Sequence, residues 1–158
     1  MKILKEDHAQ VFIQAEYIVL ISIILGFVVN FLWPIPFLFP RMIHIPLGIV
    51  IIVGALITIY FSMEEFKKAK TYSSPYKPVK SLITTGPYKR FRHPMYLGRL
   101  LQQIGMGVAF GNTWILILVI PAFIFIWYGV IVPEELYLHR RFGGKYLKYK
   151  NSTRGFIR

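Results

Sequence analysis

Three long stretches of the chain carry no Asp, Glu, Lys or Arg: residues 17–40, 42–63 and 100–133. A helix needs about 20 apolar residues to cross a bilayer core. The first two stretches therefore hold one span each. The third has 34 residues, too many for a single span. Gly111-Asn112-Thr113 breaks it as a tight turn, which predicts a helical hairpin with arms at residues 95–110 and 114–132. The first span, at residues 17–33, ends on Trp33, an interfacial anchor. Pro34 and Pro36 follow, and neither can continue a helix. The second span, at residues 45–63, runs into the charged Glu64, Glu65, Lys67, Lys68 and Lys70. Residues 1–16 are mixed polar and read as an interfacial helix. No small-residue cleavage site follows the first apolar run, so it does not read as a signal peptide. The expectation is an all-α polytopic membrane bundle of about four transmembrane helices, forming one domain over residues 1–158. Residues 1–63 supply the N-terminal spans and residues 64–158 the remaining core.

Charge sets the orientation. The net charge is +12, which alone would raise the question of nucleic acid. Its placement answers otherwise. Nine Lys and Arg lie in residues 64–99 and seven from Glu134 onward, each group flanking apolar spans. That is the positive-inside pattern, with attraction to anionic membrane lipids and no call for nucleic acid. The two basic segments are expected in the cytoplasm, and the poorly charged turns near Arg41 and Asn112 outside. The absence of cysteine excludes disulfides, thiolate catalysis and cysteine metal sites. His8, His44, His93 and His139 have no ligand spacing, so no metal is expected. Gly105-Met106-Gly107 sits inside an apolar arm, without the strand and helix that a dinucleotide fingerprint needs. Gly107 and Gly111 instead have the spacing of a close helix contact.

Polar residues at membrane depth are the functional candidates. The first hairpin arm carries Arg99, Gln102 and Gln103. Arg99 can snorkel to the interface and the glutamines can bond neighbouring helices, or all three can line a site. The second arm ends in Pro133-Glu134-Glu135, two of only seven acids in the chain. These glutamates can pair surface lysines, or one can turn inward to a cationic or hydroxyl-rich ligand. His93, between Arg92 and Pro94, is held extended by the proline.

The run Thr85-Gly86-Pro87-Tyr88-Lys89-Arg90-Phe91-Arg92-His93-Pro94-Met95-Tyr96-Leu97-Gly98, followed by Glu134-Glu135, Phe142-Gly143, Tyr146 and Tyr149, resembles the isoprenylcysteine carboxyl methyltransferase and phospholipid methyltransferase superfamily. The resemblance covers residues 64–151. It implies a helical membrane enzyme that binds S-adenosylmethionine at the cytoplasmic face without a Rossmann domain and methylates a lipophilic acceptor. The cofactor-binding positions it implies are Lys80, Ser81, Leu82, Ile83, Tyr88, His93, Pro94, Met95, Tyr96 and Glu134, with Arg92, His93 and Glu134 as catalytic candidates. Such residues suit the ligand. A carboxylate can meet its ammonium or ribose, aromatic faces its adenine or sulfonium, and His93 and Arg92 its carboxylate.

Two departures concern the acceptor. Val130 stands where eukaryotic isoprenylcysteine methyltransferases have an arginine, and Ser73 where they have a glutamine. An amine, carboxylate or thiol acceptor therefore stays open. Other readings are an NADPH-dependent reductase like the membrane sterol reductases, and a non-enzymatic protein that binds anionic lipid. The expected location is the cell inner membrane, or the endoplasmic reticulum in a eukaryote, and a homodimer is compatible with so small a bundle.

Overall fold

The computed structural model describes residues 11, 13–73 and 77–155. Most of the expected interfacial helix lies outside these residues. Its described part is irregular until helix α1 begins at Ala15.

Helix α1 spans Ala15–Leu32 and α2 Arg41–Lys68. A 3-10 turn, Gly86–Lys89, precedes α3, Pro94–Ala109. Helices α4, Thr113–Ile117, and α5, Val119–Ile126, continue through a π turn, Trp127–Ile131, into α6, Val132–Phe142. Helix α7 is Gly144–Ser152. No sheet forms among the described residues; one isolated parallel bridge joins Phe91 to Arg154.

Three helices are long and apolar enough to cross a membrane: Ala15–Leu32, Arg41–Lys68 and the continuous rod Thr113–Phe142. Their outer faces are apolar. Phe31 is 87% exposed, and Val50, Ile120 and Phe125 are each 67% exposed. So large a bare apolar surface is the wall of an integral membrane protein. Helix α3 has 16 residues, about 24 Å of rise, and so falls short of the bilayer core. It packs against α1, α2, α4 and α5.

The interior is held by close backbone approach and by hydrogen bonds. Without a hydrophobic drive between helices in lipid, small residues and polar links take over that work. A Cβ on Gly98 would meet Ile59 Cγ1 at 2.6 Å, and one on Gly105 would meet Ile52 Cγ1 at 2.7 Å. The α2–α3 seam therefore runs through Gly98 and Gly105. Gly107 instead meets Leu116 of α4, and Gly111, at φ +59°, makes the turn after α3. The sequence spacing of Gly107 and Gly111 thus does not describe one helix face. Gln103 is fully buried and donates to Ser22 Oγ (2.7 Å) and the Ile115 carbonyl (3.2 Å). It is the interhelical link its position allows. Asn112 is 2% exposed. Its Oδ1 accepts from Ile115 N–H, capping α4, while its amide donates to the Gly26 carbonyl. The loop tip expected there is a buried cap. Arg99 is not free at the interface either: it pairs with Glu16 at 3.0 Å.

These links fix a direction. Glu16 meets Arg99, Ser22 meets Gln103 and Gly26 meets Asn112. Both partners ascend together, so α1 and α3 run parallel.

Candidate active site

Helix α2 has 28 residues, about 42 Å of rise. Its charged last turns therefore leave the hydrocarbon and stand beside the segment that links it to α3. There Thr85 donates to the Glu65 carboxylate, which also pairs with Lys68 (2.8 Å). Gly86, at φ +58°, turns the chain so tightly that a Cβ would press on Glu65 Cγ at 2.8 Å. This turn delivers Tyr88 inward. Tyr88 is 7% exposed and meets Phe66 edge-on at 5.7 Å. Burial, and then the nearby Glu134 carboxylate, push its phenol well above the usual range, so it remains a donor.

Pro94 occupies the first turn of α3, where its missing N–H costs nothing. His93 stands at the N-cap of that helix with φ −129° and ψ 57°, neither helical nor the extended backbone expected before a proline. Its ring stacks on Tyr96 at 5.7 Å, and its Nε2 lies 3.1 Å from Glu135 Oε1. Tyr96 donates to Glu134 Oε2 at 2.7 Å, and His93 Nδ1 lies 3.8 Å from the same oxygen. Thus the two glutamates divide. Glu135 takes Arg92 Nε (2.9 Å), Lys150 Nζ (2.7 Å) and His93, while Glu134 takes one phenol. Arg92 is also occupied: its guanidinium donates to the carbonyls of Lys150 (3.0 Å) and Thr153 (3.3 Å).

The π turn is what presents both carboxylates. It holds one residue more per turn than an α-helix. The start of α6 is thereby rotated relative to the apolar rod, and Glu134 and Glu135 face the residue 92–96 segment. Val130, in that turn, is fully buried.

Ser81, Leu82, Ile83, Tyr88, Arg92 and Glu134 line one cavity of about 40 Å³. The structure therefore gathers the predicted loop, tyrosine and first glutamate. Phe66, Val79, Leu138 and Tyr149 complete its wall and carried no separate signal in the sequence. Tyr149 was visible only as part of a spaced pair; its hydroxyl donates to the Tyr88 carbonyl at 2.7 Å. The remaining predicted residues do not line this cavity, although His93 and Tyr96 reach Glu134 from behind it. Pro94 is packed into the fold, the Lys80 ammonium sits over the Tyr72 ring at 5.5 Å, and Met95 and Tyr96 line a cleft with Glu16 and Arg99. No cluster of His, Asp and Glu suited to a metal occurs among the described residues.

The chain is thus an α-helical integral membrane protein that gathers carboxylates, phenols and an imidazole where α3 begins and the last long rod ends. Residues 43–145 match the family Phospholipid methyltransferase. The chain belongs to that family, and it is a membrane methyltransferase. Neither the curated proteins nor the solved structures contain a match.

Proposed function

We propose that this enzyme transfers the methyl group of S-adenosylmethionine to a lipophilic acceptor at the cytoplasmic membrane face. The observation that carries the reading is the cavity shared by Ser81–Ile83, Tyr88 and Glu134. Its donor set fits the cofactor. Glu134 has an oxygen to offer an ammonium or a ribose hydroxyl, Tyr88 offers an aromatic face, and Leu82 and Ile83 supply apolar wall. At about 40 Å³, however, the cavity holds little more than a water. One wall must therefore open. The loop at residues 79–83 is tied by three hydrogen bonds: Val79 N–H to Tyr137 Oη (3.2 Å), Lys80 N–H to Thr71 Oγ1 (2.9 Å), and Ser81 Oγ to the Ala69 carbonyl (3.3 Å). Opening the cavity on this side would break those three bonds.

When bound, S-adenosylmethionine supplies an electrophilic methyl on a sulfonium. The residues of the chain then orient and exclude water, since an in-line displacement depends chiefly on alignment. Tyr96 fixes the Glu134 carboxylate, and His93 stacks behind it. Arg92 and Glu135 lock the residue 92–96 segment to α7, so both act as positioning residues. Where the acceptor carries a proton, His93 is placed to take it.

Because α1 and α3 are parallel, the Ala15 and Pro94 ends share one side of the membrane. The basic segments support a cytoplasmic position for that side. Helix α3 then serves as a fourth, short span enclosed by its neighbours.

Calorimetry of S-adenosylmethionine against detergent-purified wild type and Glu134→Ala tests the reading. Saturable binding to wild type, weakened at least about tenfold by the variant, is expected. Folded wild type that ignores S-adenosylmethionine but gains heat stability from NADPH would replace this reading with a reductase.

A further inference from the structure

His93 meets two carboxylates unequally. Its Nε2 lies 3.1 Å from Glu135 Oε1, within hydrogen-bond reach. Its Nδ1 lies 3.8 Å from Glu134 Oε2, beyond that reach, and that oxygen already accepts from Tyr96. A neutral imidazole has one N–H and one lone pair to place. With the hydrogen on Nδ1, the Nε2 lone pair would face the Glu135 carboxylate and the bond between them would be lost. With the hydrogen on Nε2, Glu135 accepts it, and Nδ1 is left bare on the side of Glu134.

Glu135 is suited to hold this arrangement. Arg92 and Lys150 bind it at 2.9 and 2.7 Å and keep it a carboxylate. Tyr96 stacks on the ring with the two planes 17° apart, so the plane and the rotation of the imidazole are both fixed. The ring also forms part of the wall of a hollow of about 200 Å³, beside Phe91, Leu97 and Arg154. A proton can leave it there without crossing the cofactor cavity.

We propose that Glu135 is a positioning residue for His93: it holds the ring hydrogen on Nε2 and makes Nδ1 the basic nitrogen of the site. The inference rests on the methyltransferase reading. It adds the atom that takes the proton and the side chain that selects that atom. When an acceptor atom bearing hydrogen is methylated, its electron pair forms the new bond to carbon. The old carbon–sulfur pair stays on sulfur, and the displaced proton goes to Nδ1. The imidazolium then lies between Glu134 and Glu135, with Arg92, Lys150 and Arg154 as the surrounding cations. Glu135 stays ionised and compensates the new charge. An acceptor that is already an anion leaves this device idle.

NMR of protein carrying nitrogen-15 in its histidine rings, in detergent and mildly alkaline buffer, tests the assignment. The His93 signals are those lost in His93→Gln. Wild type should show a bare Nδ1 and an Nε2–H that exchanges slowly with water. Glu135→Leu should speed that exchange at least about tenfold and spread the hydrogen over both nitrogens. Should Glu135→Leu not fold, Glu135→Gln keeps the shape and should speed it at least about threefold. Lys150→Gln breaks a tie to the same carboxylate without removing it. It should lower the melting midpoint and leave the Nε2–H in place. A wild-type ring with hydrogen on Nδ1, or on both nitrogens, overturns the proposal, as do equal changes in the Lys150 and Glu135 variants. S-adenosylmethionine titrated into the same wild-type sample separates the two levels. Binding with the hydrogen on Nδ1 removes only the role of Glu135, while a bare Nδ1 without binding removes the reading beneath it.

Discussion

Two adjacent carboxylates at a membrane surface meet different electrostatic surroundings here. Glu135 accepts from Arg92, Lys150 and His93, and Arg92 is mostly buried, with 8% of its side chain exposed. Glu135→Ala would leave that guanidinium without its counter-charge. The expected cost is about 3 kcal/mol of stability, seen as a fall in the heat-inactivation midpoint in detergent, and Glu135→Gln should recover part of it. An unchanged midpoint in Glu135→Ala would show that the pair is solvated and structurally idle. Tyr88→Ala opens the floor of the cavity and removes an aromatic face. It should weaken S-adenosylmethionine binding about tenfold or more. Normal binding with slow turnover would instead move Tyr88 out of the cofactor site. Sequence order identified Tyr88 and Glu134 through motif resemblance alone. It could not identify the partners of Arg92, because contacts such as Arg92–Lys150 and Tyr88–Tyr149, 58 and 61 residues apart, follow no periodicity a linear reading detects.

At the scale of elements, the π turn and the α2–α3 seam carry the geometry. Removing Gly129 from the π turn would let the rod wind as a regular α-helix and, because the residue lost is the extra one a π turn absorbs, would leave α6 facing nearly the same way. That variant should still bind S-adenosylmethionine in calorimetry. Inserting one alanine after Ile131 instead turns every residue of α6 by about 100°, takes the glutamates away from the residue 92–96 segment, and should abolish binding. Retained binding in the insertion variant would show that α6 re-registers freely. At the seam, Gly105→Val would place new methyls against the Ile52 backbone, 2.9 Å from a Cβ at this position. Overpacking of this kind costs about 1–3 kcal/mol, measurable as a lower midpoint, whereas an unaltered midpoint would mean that the helices part without penalty. The hairpin turn and the second-span boundary were legible because Gly, Asn and charge punctuate them. The π turn was not: Trp127–Ile131 is apolar throughout, and nothing in its composition distinguishes π from α winding.

For the whole molecule, hydropathy decides the class and close contacts decide the topology. The chain is naturally free of cysteine, so single cysteines report cleanly. Leu38→Cys and Phe110→Cys, at residues 86% and 61% exposed, should react with a membrane-impermeant maleimide from outside intact cells. Lys145→Cys should react only after the membrane is opened. Reaction of Phe110→Cys from the inside alone would remove α3 as a span. Charge-free stretches announced the membrane helices directly, but one of the expected spans, α3, is shorter than the others, and only its enclosure among neighbouring helices shows how it fits.

The cavity also has an order of assembly. Phe66 and Tyr88 emerge from the ribosome before Tyr149, Lys150 and Thr153, which fasten the same wall and follow the three described membrane-length helices. During synthesis the spans can therefore insert while the reactive site is still open and unfinished. A chain that stops short of Thr153 would sit in the bilayer without a closed chamber, and the site would be finished only after residues 149–153 had folded back onto it.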